Sequence, residues 1–298
     1  MHFNNRHSAA LIVLFAATLC ALLLQAQERH IDPTYLYGDT ATAAEKPSDI
    51  TSPNCHYKPV FGNGTPEQFA ESGVVRYGEV VVDPGGTCAA VQYPDEDQIY
   101  VILEGSGSAR YGAEDVSLKK EDFLYIPATV AHVLSNRSAA SLTVVIMGFS
   151  TKGYDATPLP AHPLKANMED VPLQLVGGHP DSTHYRLLLG DAEGKRDRID
   201  AGRVVTSLFL MDIDPGGTNF PHHHIRQEEI YLVLSGHGDI VAGSGTDGIA
   251  GKFPAKPGDA YFYRANATVG YYSAPNVASR LLCVRSWHPG LEQRGTGH

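Results

Sequence analysis

The 298-residue chain carries 33 Asp and Glu against 23 Lys and Arg, a formal net charge of -10, with 43% apolar and 19% charged residues. That length holds one large or two ordinary domains, and the apolar share excludes a disordered polymer. The diffuse negative charge works against nucleic acid and anionic membrane surfaces as partners.

Residues 1–26 read as a secretory signal peptide. Arg6 gives a basic start, Ala9–Leu24 (AALIVLFAATLCALLL) is an apolar run, and a cleavage point follows near Ala26. The competing reading is an uncleaved N-terminal anchor, for which the run is short. Cleavage implies a secreted or periplasmic protein with no membrane contact in its mature form. It also removes Cys20 and leaves Cys55, Cys88 and Cys283, an odd count that allows at most one disulfide. Residues 27–72 follow as a polar N-terminal arm.

From Pro84 the chain begins to repeat itself. Pro84–Gly107 (PGGTCAAVQYPDEDQIYVILEGSG) aligns with Pro215–Gly238 (PGGTNFPHHHIRQEEIYLVLSGHG) at nine identities in 24 positions without a gap, which defines two copies of one unit. Farther on, EDFLYIPATVAH (Glu121–His132) matches GDAYFYRANATVGY (Gly258–Tyr271) with a small gap. Short runs rich in Val, Ile, Tyr and Leu recur in both copies: Val74–Val82, Gln98–Leu103, Phe123–Pro127 and Leu142–Met147, then Arg203–Met211, Ile230–Leu234, Ala260–Tyr263 and Arg280–Val284. Gly, Pro and Asp clusters separate them, the pattern of an all-β sandwich or barrel. The predicted domains are an N-terminal barrel (73–150), a Pro-rich connector (151–183), a C-terminal barrel (184–288) and a tail (289–298), with short helices in the linkers. Cys55 and Cys88 can pair and tie the arm to the first barrel. Cys283, in the apolar run SRLLCVRS, is expected to be a buried free thiol.

The chemistry concentrates in Pro221–Gly236, PHHHIRQEEIYLVLSG. In a strand alternate side chains share a face, so His222 and His224 point one way and His223 the other. Two imidazoles on one face can chelate a divalent ion, with Glu228 or Glu229 on the next strand closing the set. Two His and one carboxylate leave open positions, which suits non-haem iron, manganese or another first-row metal.

At these residues the sequence resembles the cupin superfamily, specifically a bicupin. The motif G-x5-H-x-H-x4-E-x6-G is met at every spacing by Gly216, His222, His224, Glu229 and Gly236, which selects Glu229 over Glu228. The second motif, G-x5-P-x-G-x2-H-x3-N, is partly met in the first repeat by Pro127, His132 and Asn136, with Glu121 and Thr129 in its glycine places. The resemblance implies two tandem jelly-roll β-barrels, each with a possible metal site. In the first, Val91, Tyr93 and Gln98 stand in the ligand positions, so no metal is expected and His132 is read as a hydrogen-bonded core residue. In the second, the fourth ligand position falls on Tyr271 or Val269, depending on the gap. Tyr271 is a candidate proton donor or substrate-orienting group, or else a packed barrel aromatic. Arg264, where the family has proline, is a candidate contact for an anionic substrate, or else a surface ion pair.

The resemblance implies a metal-dependent enzyme of dioxygenase, decarboxylase or hydrolase type, with dioxygenase-type oxidoreductase chemistry ranked first for the open three-ligand set. One divalent metal is expected in the second barrel, Mn or Fe first, with Zn, Ni or Cu as alternatives. The substrate is expected to be a small molecule such as a carboxylate or polyol, and a homo-oligomer is implied by resemblance alone. Oxalate-decarboxylating bicupins carry two complete sites where this chain has one. Ureidoglycine-hydrolysing bicupins keep metal only in the second barrel, with a different ligand spacing. The alternative reading is a non-catalytic metal- or small-ligand-binding bicupin of storage type.

Overall fold

The computed structural model describes residues 33–155, 158–243 and 248–291; the expected signal peptide lies outside them. The arm carries β1 (Tyr35–Asp39) and β2 (Cys55–Gly62). The first repeat runs as β3 (Val74–Val82), β4 (Glu96–Glu104), β5 (Ser106–Tyr111), β6 (Glu114–Lys119), β7 (Asp122–Ile126), β8 (His132–Ser135) and β9 (Leu142–Ser150). The connector holds β10 (Leu164–Asn167). The second repeat follows as β11 (Thr183–Asp191), β12 (Ile199–Gly202), β13 (Val205–Ile213), β14 (Thr218–His223), β15 (Gln227–Ser235), β16 (Gly238–Gly243), β17 (Gly251–Ala255), β18 (Asp259–Tyr263), β19 (Thr268–Ser273) and β20 (Ser279–Trp287).

The linker helices expected from the sequence are a correction. Among the described residues the connector has one 3₁₀ turn, Met168–Asp170, capped by the Asn167 side chain accepting from the Glu169 N–H. The connector prolines fix φ and remove N–H donors, which leaves no run long enough for an α-helix.

Each repeat forms a jelly roll from one large and one small sheet. The strand orders are β10-β7-β4-β9-β3-β2 with β6-β5-β8, and β1-β18-β15-β20-β13-β11-β12 with β14-β19-β16-β17. Side-chain alternation decides what each large sheet buries. On β4, Tyr100 and Ile102 enter the first barrel's interior, while Ile99 and Val101 point to the opposite face. On β15, Tyr231 and Val233 enter the second barrel, and Ile230 and Leu232 turn away from it. The outward-turned residues of both large sheets meet in a third core that includes Tyr77, Phe123, Met147, Leu208, Phe262 and Leu282. Each such side chain contributes about 1.5–3 kcal/mol of burial, so the two barrels stabilise one another through that shared layer.

The leading strands are exchanged. β1 precedes the first barrel but pairs antiparallel with β18 of the second, Tyr37 opposite Tyr261. β10 precedes the second barrel but pairs with β7 of the first, Ala166 opposite Phe123. Two equivalent carboxylates, Asp97 on β4 and Glu228 on β15, join the barrels where β13 and β3 begin. Asp97 accepts from Tyr125 Oη at 2.7 Å and the Ala128 N–H at 2.8 Å, and pairs with the Arg203 guanidinium, Nε at 3.2 Å. Glu228 accepts from the Gly73 N–H at 2.9 Å and Ser72 Oγ at 3.0 Å, with His288 Nδ1 at 3.0 Å.

Cys55 and Cys88 form a disulfide that ties β2 to the segment before β4, and Cys283 is a buried free thiol. The bridge closes 33 residues of chain, and loop entropy of that size is worth about 3–4 kcal/mol. Urea unfolding of the Cys55→Ser/Cys88→Ser protein is expected to show a loss of that order; a loss below about 1 kcal/mol contradicts the entropic account. Glu121 and Thr129 adopt positive φ, 68° and 72°, as do their second-barrel counterparts Gly258 and Asn266, 95° and 64°. The glycine places of the motif are thus left-handed positions; Gly258 keeps the glycine, while Glu121, Thr129 and Asn266 put side chains there at about 1–2 kcal/mol each.

Candidate metal centre

The bulge in β14 between Asn219 and His222 sets His222 opposite Val269 on β19. Two residues later His224 closes the turn into β15. Glu229 faces into the barrel because Glu228, its neighbour, is committed to the inter-barrel face. One ligand atom from each of His222, His224 and Glu229 falls within 4.8 Å of the others.

The electrostatics favour a cation there. Glu229 is 2% exposed, and neither of its carboxylate oxygens accepts a hydrogen bond. Burial pushes its carboxyl up to about 7, the positive charge of Arg285 opposing the rise. A buried carboxylate left in this state costs on the order of 1–3 kcal/mol or more, which a bound cation removes. Burial holds the His222 imidazole down at about 4 and His224 at about 2, helped by the Arg285 charge in both cases. Both rings are therefore neutral and able to ligate at neutral pH. His224 Nε2 lies 3.4 Å from Glu229 Oε2, and with a neutral ring this is a juxtaposition of ligand atoms rather than an ion pair. His222 Nδ1 donates to the Phe220 carbonyl at 2.9 Å. That bond fixes the tautomer and leaves Nε2 with its lone pair, as a metal-ligating imidazole requires. On these donors and this unsatisfied carboxylate, the residues fit a divalent ion.

A small cavity of about 20 Å³ adjoins the triad. Arg285 enters it from β20, opposite Glu229 in register. Its Nε lies 3.6 Å from Glu229 Oε1, its Nη1 3.3 Å from His224 Nδ1, and its guanidinium 5.4 Å from the Phe209 ring centre. His179 enters from the connector. Its ring lies edge-on to His222 at 5.4 Å, and its Nδ1 donates to Asn219 Oδ1 at 2.9 Å. Tyr185 Oη also donates to Asn219 Oδ1, at 3.2 Å, and the Asn219 amide donates to Tyr231 Oη at 2.9 Å.

Two of the residues singled out in the sequence stand elsewhere. Tyr271 is fully buried with its hydroxyl donating to Ser279 Oγ at 3.0 Å, and it does not line the cavity. Val269 takes the fourth ligand's place, just as His132 lies opposite Val91 in the first barrel. Arg264 is half-buried at the end of β18, its backbone N–H bonded to the Thr34 carbonyl at 3.2 Å, and it too is absent from the cavity wall. Arg285, His179 and Asn219 escaped the sequence reading. Their signals are positional: Arg285 replaces Gly148 of the first repeat, and Asn219 replaces Cys88.

The first barrel has the same interior filled differently. His132 is buried, donates from Nδ1 to the Val130 carbonyl at 2.9 Å and accepts from Tyr100 Oη at 2.9 Å. Arg76, on β3 opposite Gly148, extends into the space between the ligand positions. It meets Glu96 Oε1 at 2.7 Å, Tyr93 Oη at 3.0 Å, and both oxygens of Asp49 at 2.9 and 3.2 Å. A Cβ at Gly148 would sit 2.7 Å from Arg76 Cγ, so the glycine makes room for the arginine.

The raised carboxyl fixes a pH dependence. Below about 7 Glu229 is protonated in the metal-free protein, so metal uptake must displace its proton, whereas the imidazoles are already bare. Calorimetry in buffers of different ionisation enthalpy is expected to show about one proton released per ion at pH 6, falling toward zero above pH 8. Release that is flat across this range contradicts the assignment of Glu229.

The family described as Cupin domain matches residues 78–148 and 209–285. No curated protein sequence matches the chain. Among solved structures, a Pseudomonas aeruginosa protein named as glyoxylate-induced superimposes with a TM-score of 0.69 at 15% identity, covering 92% of this chain and 95% of that one. The coconut allergen cocosin gives 0.64 at 10% identity, covering 87% and 86%. A mutant of the Bacillus subtilis oxalate decarboxylase OxdC gives 0.60 at 10% identity, covering 87% and 78%. At these identities the likenesses speak for the fold.

Proposed function

The chain belongs to the cupin superfamily as a bicupin, and from that premise we propose that it is an exported metal-dependent enzyme acting on a small molecule, with one divalent first-row metal in the second barrel. The observation that carries this reading is Glu229, a buried carboxylate with no hydrogen bond, facing two neutral imidazoles. His222, His224 and Glu229 would hold the ion, Mn or Fe before Zn, Ni or Cu. Such an ion supplies Lewis acidity or a redox centre, the chemistry of dioxygenation, decarboxylation or hydrolysis. The chain's own residues do the rest. Val269 leaves the fourth side without a protein donor. Asn219, held by Tyr185 and Tyr231, orients His179 at the cavity wall. Phe209 and Leu187 line the apolar part of the cavity and limit water. The Cys55–Cys88 disulfide supports an oxidising compartment, in keeping with export.

Elemental analysis of protein purified without chelator, beside His222→Ala, tests the reading. About one iron or manganese per chain in the wild type and none in the variant is expected. Iron or manganese at that level favours an enzyme over a storage-type bicupin, and no metal in either protein overturns the proposal.

A further inference from the structure

The two repeats handle one buried arginine in opposite ways. The cross-strand pair Arg76 and Gly148 in the first barrel becomes Ser207 and Arg285 in the second, at the same register. Each barrel thus sends one guanidinium into its interior, from β3 in one and from β20 in the other. In the first barrel that guanidinium is closed off from within. Asp49 holds it by a two-pronged pair, and Glu96 takes Nε.

The segment carrying Asp49 has a second-barrel counterpart of equal length. Lys46 N–H bonds Tyr57 O as Gln174 N–H bonds Tyr185 O, and Asp83 N–H bonds Asn54 O as Asp214 N–H bonds Ser182 O. Counting between these anchors places Gly177 where Asp49 stands. Gln227 stands where Glu96 does. Both carboxylates that satisfy Arg76 are therefore missing around Arg285. Glu229 does not replace them: it lies 3.6 Å from Arg285 Nε, which has no hydrogen-bond partner. Arg196, the other cation of the cavity wall, is already paired with Asp197, Nε to Oδ2 at 3.1 Å. A divalent ion beside one carboxylate, one guanidinium and neutral imidazoles would leave an excess of positive charge.

We infer that the second barrel takes a small carboxylate ligand, seated on Arg285 beside the metal ligands, in the position that Asp49 fills within the first barrel. Arginine matches a carboxylate's two oxygens with parallel N–H donors, a geometry a polyol cannot return. The inference rests on the proposed site in the second barrel. The Val176–His179 segment forms its rim, and the glycines there leave the entrance free of the chain's own acid. A Cβ added at Gly177 would meet no atom within 4 Å, so an acid can be restored there without a clash.

Calorimetric titration with malonate and with malonamide, its neutral counterpart, tests this on metal-loaded and metal-stripped wild type. Malonate is expected to bind at least tenfold tighter than malonamide. Arg285→Met is expected to lose at least tenfold in malonate affinity. Gly177→Asp is expected to do the same by supplying the internal acid, while Gly177→Asn binds malonate as the wild type does. Equal binding of malonate and malonamide, or an Arg285→Met protein that binds malonate like wild type, overturns the inference. Malonate binding by metal-stripped protein upholds it even where metal analysis has sunk the metal reading. Absence of malonate binding in both states overturns it whatever the metal count.

Discussion

Glu229→Gln is expected to lose at least 100-fold in metal affinity and, at the same time, to make the metal-free protein more stable at pH 8. The two effects have one cause. The wild-type carboxyl is held near 7 by burial, above the ordinary value of about 4.3. A group raised in this way contributes stability that is full below its unfolded pKa and is lost as pH rises through about 7. At pH 8 the folded metal-free protein therefore carries the whole desolvation penalty of an ionised carboxylate, worth roughly 3–4 kcal/mol. Glutamine removes that penalty but is a poor ligand. Urea unfolding of metal-free wild type and variant should differ by that amount at pH 8 and converge near pH 4. A variant that keeps wild-type metal occupancy, or shows no gain at pH 8, takes Glu229 out of the site.

Arg76→Met should act in the opposite direction and with no metal involved. Removing one partner of a buried ion pair leaves the other charge uncompensated, at about 3–5 kcal/mol. Glu96 is 7% exposed and takes both Arg76 and Gln98 as donors. The loss should appear as a shift of the urea midpoint of the whole described unit, since the two barrels share a core. The double variant Arg76→Met/Glu96→Gln should recover part of it, because the cycle removes the stranded charge. A single variant within about 1 kcal/mol of wild type would show that the guanidinium is not what closes the first barrel. Together the two substitutions separate a site electrostatically complete within the chain from one left open for an ion.

The triad was legible because its information is local. Spacing of two on a strand fixes which imidazoles share a face, and the turn to β15 fixes which glutamate follows. The fold was legible for a related reason, since the repeat presents each strand pattern twice. Tyr271 and Val269 stayed alternatives in the sequence because both gap choices preserve a plausible match, and only register distinguishes them: His222 pairs across from Val269. The paired left-handed positions Thr129 and Asn266 confirm the gap-free alignment. Arg264 drew attention as a departure from a family pattern, while Arg285 does its work through cross-strand pairing that a linear reading does not display. His179 lies in a Pro-rich connector with no periodicity to place it. β1 left no trace either, because its partner strand begins at Asp259, at the far end of the chain.

The exchanged leading strands and the two joining carboxylates have an evolutionary consequence. The contacts are those of a two-fold dimer closed within one polypeptide. In a dimer of identical chains every substitution appears on both sides of the axis. Here Asp97 faces an arginine, while its counterpart Glu228 faces a backbone N–H and a serine. Such a mismatch is open only to fused copies, each bearing its own mutations. Fusion also keeps the partner permanently at hand, whatever the protein concentration. Under those terms one copy can trade its ion ligands for an internal salt bridge and serve as scaffold, while the other retains the donors for chemistry.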